Sequence, residues 1–226
     1  MNGIVKIALA TIVATFSFVS LSAQTKCCDK ETNLRWGVTA GMNGFDAGKA
    51  DLSHDRGRCG FNVAARMELL FRTTPSRPYM DVELGLLNLN WKKHYAHHIS
   101  DFQTGEQTDY DQTFRRNAYY LHLPIHFGYR WAVAQRCAIY ADAGPYFSFG
   151  LFGKARNTDN ISHQKSKGSV YDEIKRFDFG IGARLGVEVA DHYRIGIGYD
   201  YGLRKMDKVY SDHKNRNFTF SVGYMF

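Results

Sequence analysis

Polarity alternates along this chain with a period of two. Between Phe177 and Val189 the odd positions are Phe177, Phe179, Ile181, Ala183, Leu185, Val187 and Val189, and the even ones are Asp178, Gly180, Gly182, Arg184, Gly186 and Glu188. Tyr193 to Leu203 sets Tyr193, Ile195, Ile197, Tyr199, Tyr201 and Leu203 against Arg194, Gly196, Gly198, Asp200 and Gly202. The chain ends on Phe218, Phe220, Val222, Tyr224 and Phe226, interleaved with Thr219, Ser221, Gly223 and Met225. Such patterning predicts strands with one apolar and one polar face. The same rule predicts strands over Trp36–Met42, Phe61–Phe71, Tyr119–Tyr129 and Ile139–Leu151. A further strand, Tyr79–Trp91, loses phase at Leu86-Leu87, which reads as a β-bulge. Eight strands are expected, with no linker and no second domain.

The connections alternate in length. Gly44–Cys59, Lys93–Arg116, Gly153–Ile174 and Arg204–Arg216 are long, whereas Arg72–Arg77, Trp131–Arg136 and Ala190–His192 are short. In an antiparallel meander alternate connections lie at opposite ends, so one end carries every long loop. That is the layout of an outer-membrane barrel.

Eight meandering strands also suit a soluble barrel, with its apolar face turned inward. The distribution of charge and aromatics favours the membrane form. The polar face holds Arg66, Glu68, Asp81, Glu83, Asp142, Asp178, Arg184, Glu188, Arg194 and Asp200, mixed in sign and interleaved with glycine that leaves room for tyrosines in a narrow lumen. The apolar face carries aromatics toward both ends: Trp36, Tyr79, Tyr129, Trp131, Tyr193 and Phe226 at the short-turn end, and Trp91, Tyr119 and Tyr201 at the other. Two aromatic girdles are what the two lipid–water interfaces select.

Composition alone points elsewhere. The chain has 226 residues, is 23% charged and 44% hydrophobic, and carries a formal charge of +7. These are the values of an ordinary basic soluble protein, and with a negative mean hydropathy they exclude a bundle of membrane helices. An aromatic content of 15% excludes disorder. The N-terminus adds a compartment. Lys6, an apolar run from Ile7 to Leu21, and Leu21-Ser22-Ala23 before Gln24 read as a cleaved signal peptide over 1–23. A short periplasmic segment, 24–34, and the barrel, 35–226, follow. Lys26 precedes Cys27, so the chain lacks the cysteine placement of a lipoprotein. The four cysteines, Cys27, Cys28, Cys59 and Cys137, match no disulfide framework or zinc spacing, and their bonding stays open.

Several segments resemble the Bacteroidetes outer-membrane β-barrel (PorT-like) family: Tyr120-Leu121-His122-Leu123-Pro124-Ile125, Ala143-Gly144-Pro145-Tyr146-Phe147, Phe177-Asp178-Phe179-Gly180, Gly198-Tyr199-Asp200-Tyr201-Gly202-Leu203, and Asn217-Phe218 through Phe226. The resemblance runs from Trp36 to the end. It implies a Gram-negative outer membrane and an eight-stranded barrel, in a family of porin name and mixed function, one branch of which serves a type IX secretion apparatus. Tyr224-Met225-Phe226 resembles the C-terminal signal that outer-membrane insertion machinery reads.

The candidate chemistry is thin. Arginines and carboxylates of the polar face are expected to pair inside the lumen. On a strand His122 and His126 stand about 13 Å apart and cannot share a metal, so lumenal hydrogen bonding is expected of them. His94, His97 and His98 fall in an expected loop and are candidate Zn²⁺ or Cu²⁺ ligands. No cysteine or carboxylate spacing completes that site, so no metal or other cofactor is expected. No serine is placed to complete a lipid-facing hydrolase set, so no enzyme is expected. Arg204, Lys205, Lys208, Lys214 and Arg216 make the last loop basic, suited to lipopolysaccharide phosphates or an acidic protein partner. No nucleic-acid partner is expected. Three roles remain: a structural or surface-interaction barrel, an accessory of protein secretion, and a small-solute pore.

Overall fold

The computed structural model describes residues 34–46, 56–71, 74–100, 107–159, 165–172, 174–205 and 214–226. Nine strands and one 3₁₀ turn follow in order: β1 (Leu34–Asp46), β2 (Arg56–Leu70), β3 (Arg77–Ser100), β4 (Gln107–Ala134), β5 (Cys137–Asp159), β6 (Lys165–Ser169), the turn (Val170–Asp172), β7 (Phe177–Val189), β8 (Tyr193–Lys205) and β9 (Lys214–Met225). All pairings are antiparallel. β1 pairs with both β2 and β9, and β4 with both β3 and β5, so eight strands close into a ring. The expected eight-stranded barrel is the observed one. Closure leaves no edge along the wall. The ninth strand, β6, pairs only with Lys154–Thr158 of β5, beyond the ring.

The faces are inverted relative to a water-soluble fold. On β7, Asp178 and Glu188 are 2% and 1% exposed, whereas Ile181 and Leu185 are 54% and 51% exposed. The outward face of β8 and β9 is likewise Ile195, Ile197, Tyr199, Phe218, Phe220 and Val222. An apolar surface this continuous requires lipid around it.

The start of β1 at Leu34, the end of β9 and the short turns share one end. The turn after β7 is the three-residue connection Ala190–His192 closed by the Val189↔Tyr193 pair, with Ala190 at φ 53° and Asp191 at φ 60°. Asp191 is pinned there: its carboxylate accepts from Arg130 Nη2 at 3.0 Å, and its carbonyl accepts from Arg35 Nη2.

Two expectations about strand shape are corrected. β3 keeps one phase from Tyr79 to Trp91, and the register shift lies in β2, between Arg58 and Asn62. The apparent slip at Leu86-Leu87 arises because the inner face itself changes from charged (Asp81, Glu83) to apolar (Leu87, Leu89, Trp91) along the strand. Second, Lys93–Arg116 is mostly ladder. β3 and β4 stay paired from Lys93↔Phe114 to Ser100↔Gln107, and β5 continues to Asp159. At about 3.3 Å per residue the 28 residues of β4 extend roughly 90 Å, against roughly 40 Å for the 12 of β9. A sheet of β3, β4, β5 and β6 therefore stands out from the ring at the end opposite the short turns.

Candidate functional site

The inward side chains form successive layers. Nearest the short turns, Arg194 Nε donates to Glu188 Oε2 at 2.6 Å, and its Nη2 lies 2.6 Å from Glu68 Oε2. Arg130 donates to Glu188 Oε1 from Nε at 3.1 Å and Nη2 at 2.8 Å. Arg35 reaches Glu188 at 3.3 Å and Glu68 at 3.6 Å. Three arginines thus share two fully buried glutamates, with Asp191 at the rim as a third carboxylate.

The next layer inverts the ratio. Arg66 makes a bidentate pair with Asp81 at 2.7 and 3.0 Å. Arg184 donates to Asp142 at 2.8 Å, to Glu83 and to Asp81. Two guanidinium groups here meet three carboxylates, and Asp142 is completed by neutral donors or by His126: Tyr79 Oη donates to it at 2.7 Å and His126 Nδ1 bonds it at 2.7 Å. Tyr140 separates the layers, its ring beneath Arg194 at 4.9 Å and Arg66 at 5.8 Å. Gly186 and Gly196 give that ring its place, since a Cβ on either would lie 2.5 or 2.4 Å from Tyr140 Oη.

Above the ions lies a cavity of mixed lining, with His122, His126, Asp200 and Arg184 on it beside Leu87 and Pro124, and room for a few water molecules. His122 Nδ1 bonds Ser148 Oγ at 2.8 Å and its Nε2 lies 3.9 Å from Asp200. Asp178 and Asp200, expected among the arginines, meet none among the described residues. Asp178 accepts from Tyr146 Oη at 3.0 Å and Asn215 Nδ2 at 2.9 Å, and Asp200 accepts from Asn217 Nδ2 at 3.3 Å. The last layer is apolar: Leu87, Leu89, Trp91, Ala118, Tyr120 and Ala155 of the strands, with Val170, Tyr171 and Ile174 folded over them. Tyr171 Oη donates to the Tyr119 carbonyl at 2.7 Å, and Arg176 lies 4.6 Å from its ring.

Of the expected girdle, Trp36, Tyr129, Trp131, Tyr193 and Phe226 are outward and exposed at the short-turn end, while Tyr119 and Tyr201 are partly exposed toward the other. Tyr79 and Trp91 are corrected. Tyr79 is fully buried with its hydroxyl on Asp142, and Trp91, 6% exposed, belongs to the apolar layer. Tyrosine serves either place, since its ring is apolar and its hydroxyl needs a partner.

The basic patch is also corrected: Arg204 and Lys205 belong to β8, and Lys214 and Arg216 to β9, rather than to a loop; Lys208 lies outside the described residues. Arg204 sits 5.7 Å from the Phe177 ring, and Lys214 and Arg216 sit 5.4 and 5.8 Å from Tyr201. His94, His97 and His98 are ladder residues, at register positions opposite Thr113, Tyr110 and Asp109. Positions 94 and 98 are about 13 Å apart along the strand, too far to share an ion. Among the described residues no cluster of three metal-ligating side chains occurs. Cys59 and Cys137 are exposed free thiols, one at each end of the ring; Cys27 and Cys28 lie outside the described residues.

Sequence reasoning missed Arg35, Arg130, Asn215 and Tyr79 as inward partners. The readable signal was position: Arg130 continues the even-numbered inward set of Tyr120, His122 and His126.

A closed antiparallel ring with an apolar exterior and an ionic interior defines an integral membrane β-barrel. The chain belongs to the outer membrane protein beta-barrel domain family, whose model matches residues 22–208, and it is an outer-membrane protein. No curated protein matches it. Solved structures similar to it include Ail, the attachment invasion locus protein of Yersinia pestis, at 14% identity over 85% of this chain and 97% of that one, with a TM-score of 0.38. Neisserial surface protein A is similar at 14% identity over 87% and 98%, TM-score 0.36. OprG from Pseudomonas aeruginosa is similar at 9% identity over 85% and 95%, TM-score 0.38.

Proposed function

We propose that this barrel is a non-enzymatic surface-interaction protein, closed to solute flow, that displays the β3–β6 sheet to the exterior. The observation that carries the reading is the disparity between strands: β3, β4 and β5 have 24, 28 and 23 residues, against 13 and 12 for β8 and β9. An outer-membrane strand needs only about 9–11 residues to cross, so half of β4 is available for contact beyond the bilayer. The lumen supports a closed barrel, because two ionic layers and an apolar layer succeed one another along it. The motifs shared with PorT-like barrels, the N-terminal signal pattern over 1–23, and the terminal Tyr224–Phe226 support export to a Gram-negative outer membrane with both chain ends in the periplasm.

The two exposed thiols test the orientation directly. In intact cells a membrane-impermeant maleimide is expected to label Cys59 in a C27S/C28S/C137S variant. Cys137 in a C27S/C28S/C59S variant is expected to react only after the outer membrane is permeabilised. The reverse pattern sinks the proposed orientation. Purified protein in planar bilayers is expected to give no stable conductance, and a steady open channel would sink the closed-barrel reading.

A further inference from the structure

The strand register gathers basic residues that lie far apart in sequence. Lys92 of β3 stands directly opposite Arg115 of β4, Arg115 opposite Arg156 of β5, and Arg156 opposite Lys167 of β6. On the other side Lys92 pairs in register with Arg56 of β2. Residues directly opposite in an antiparallel ladder share a face, so one row runs across five strands with a cation at every position. At about 4.8 Å per strand it is roughly 19 Å wide. Arg115, Arg156 and Lys167 are exposed, Lys92 is half-buried, and exposed Lys154 adds a charge two residues below Arg156.

Like charges placed opposite one another destabilise a sheet, and among the described residues no carboxylate pairs with Lys92, Arg115, Arg156 or Lys167. The interior supplies counter-charges where it buries arginines; on this row the described residues supply none. The position of the row indicates what does. Tyr119 and Phe152, stacked at 4.6 Å, lie on the same face four residues below Arg115 and Arg156. Aromatic residues mark the lipid–water boundary, and four strand residues tilted as in a barrel wall rise about 10 Å. That distance is within the downward reach of lysine and arginine side chains. The cations therefore stand at the level of the lipid headgroups.

We infer that the row Lys92–Arg115–Arg156–Lys167 is a binding site for the phosphate groups of an outer-leaflet glycolipid, which clamps the protruding sheet to the membrane surface. Arginine at the two central positions suits bidentate recognition of phosphate oxygens. The inference rests on the orientation proposed above, and maleimide labelling of Cys59 tests that orientation without reference to lipid.

The full chain, folded in dodecylmaltoside micelles, is offered bisphosphorylated lipid A or its dephosphorylated form, and bound lipid is counted by native mass spectrometry. The wild type is expected to retain the phosphorylated form selectively. R115Q/R156Q is expected to lower that affinity roughly tenfold or more, and R136Q, an exposed arginine at the short-turn end, is expected to leave it unchanged. K92Q/K167Q, at the ends of the row, serves if the central pair does not fold, as judged by the compact electrophoretic mobility of unheated protein. Equal retention of the two lipids, or unchanged affinity in a folded row variant, overturns the inference. So does binding of a soluble sulfated polysaccharide, lost in the same variants, without binding of lipid A.

Discussion

The two ends of the lumen solve one packing problem with opposite chemistry. Toward the short turns the space is filled by arginines and carboxylates, each arginine touching two or more acids. Toward the long strands it is filled by Leu87, Leu89, Trp91, Tyr120, Val170 and Ile174. Removing one member of a buried ion network strands charges with no water to replace it, whereas removing a methyl group leaves only a cavity. The ionic end is therefore the less forgiving of the two, and it is the end embedded in the ring.

Glu188→Ala provides the severest test. It removes the carboxylate that Arg194, Arg130 and Arg35 share, leaving them only Glu68 and Asp191, and a loss of about 3–5 kcal/mol is expected in reversible urea unfolding followed by tryptophan fluorescence. A loss under 1 kcal/mol would show that water reaches this layer. Ile174→Ala, in the apolar layer, is expected to cost about 2–4 kcal/mol, but locally: proteolysis near the β6 flap should accelerate while the barrel's urea midpoint moves little. Next comes Gly186→Ala, whose methyl would meet Tyr140 Oη at 2.5 Å and the Ile195 carbonyl at 2.4 Å. Overpacking there is expected to cost about 1–3 kcal/mol. Gly44→Ala, with nothing within 4 Å, is the control and should stay within about 0.5 kcal/mol of wild type. Ala190→Gly should go the other way, stabilising by up to about 1 kcal/mol, because it relieves a left-handed backbone at φ 53°. The same urea titration measures it.

What the sequence makes legible follows from where burial imposes a period. On β7 and β8 lipid lies on one side and a polar lumen on the other, so Phe179, Ile181 and Leu185 alternate with Asp178, Gly182 and Arg184 and the strands can be read residue by residue. The protruding hairpin is different. Between Lys93 and Arg116 neither set of alternate positions is apolar, so nothing in the sequence marks a strand although the ladder continues from Lys93↔Phe114 to Ser100↔Gln107. Tyr79 and Trp91 are illegible in the sequence for another reason, since aromatic residues suit both a lipid interface and a lumen that changes from ionic to apolar. Spacing along the chain carries no trace of register. Lys92, Arg115, Arg156 and Lys167 become one row only once three separate pairings are set.

Closure of the ring makes assembly order part of the design. β1 hydrogen-bonds β9 from Gly37↔Met225 to Asp46↔Arg216, and the Phe226 amide donates to the Trp36 carbonyl at 2.7 Å. The first strand therefore waits for the last, and among the described residues the seam joins the strands farthest apart in sequence. Until β9 arrives, two rows of backbone groups lack partners, and inside hydrocarbon each unmet group costs several kcal/mol. A chain cut short before its final strand has no partial version of this structure to settle into; commitment to the membrane is a decision taken at its last dozen residues.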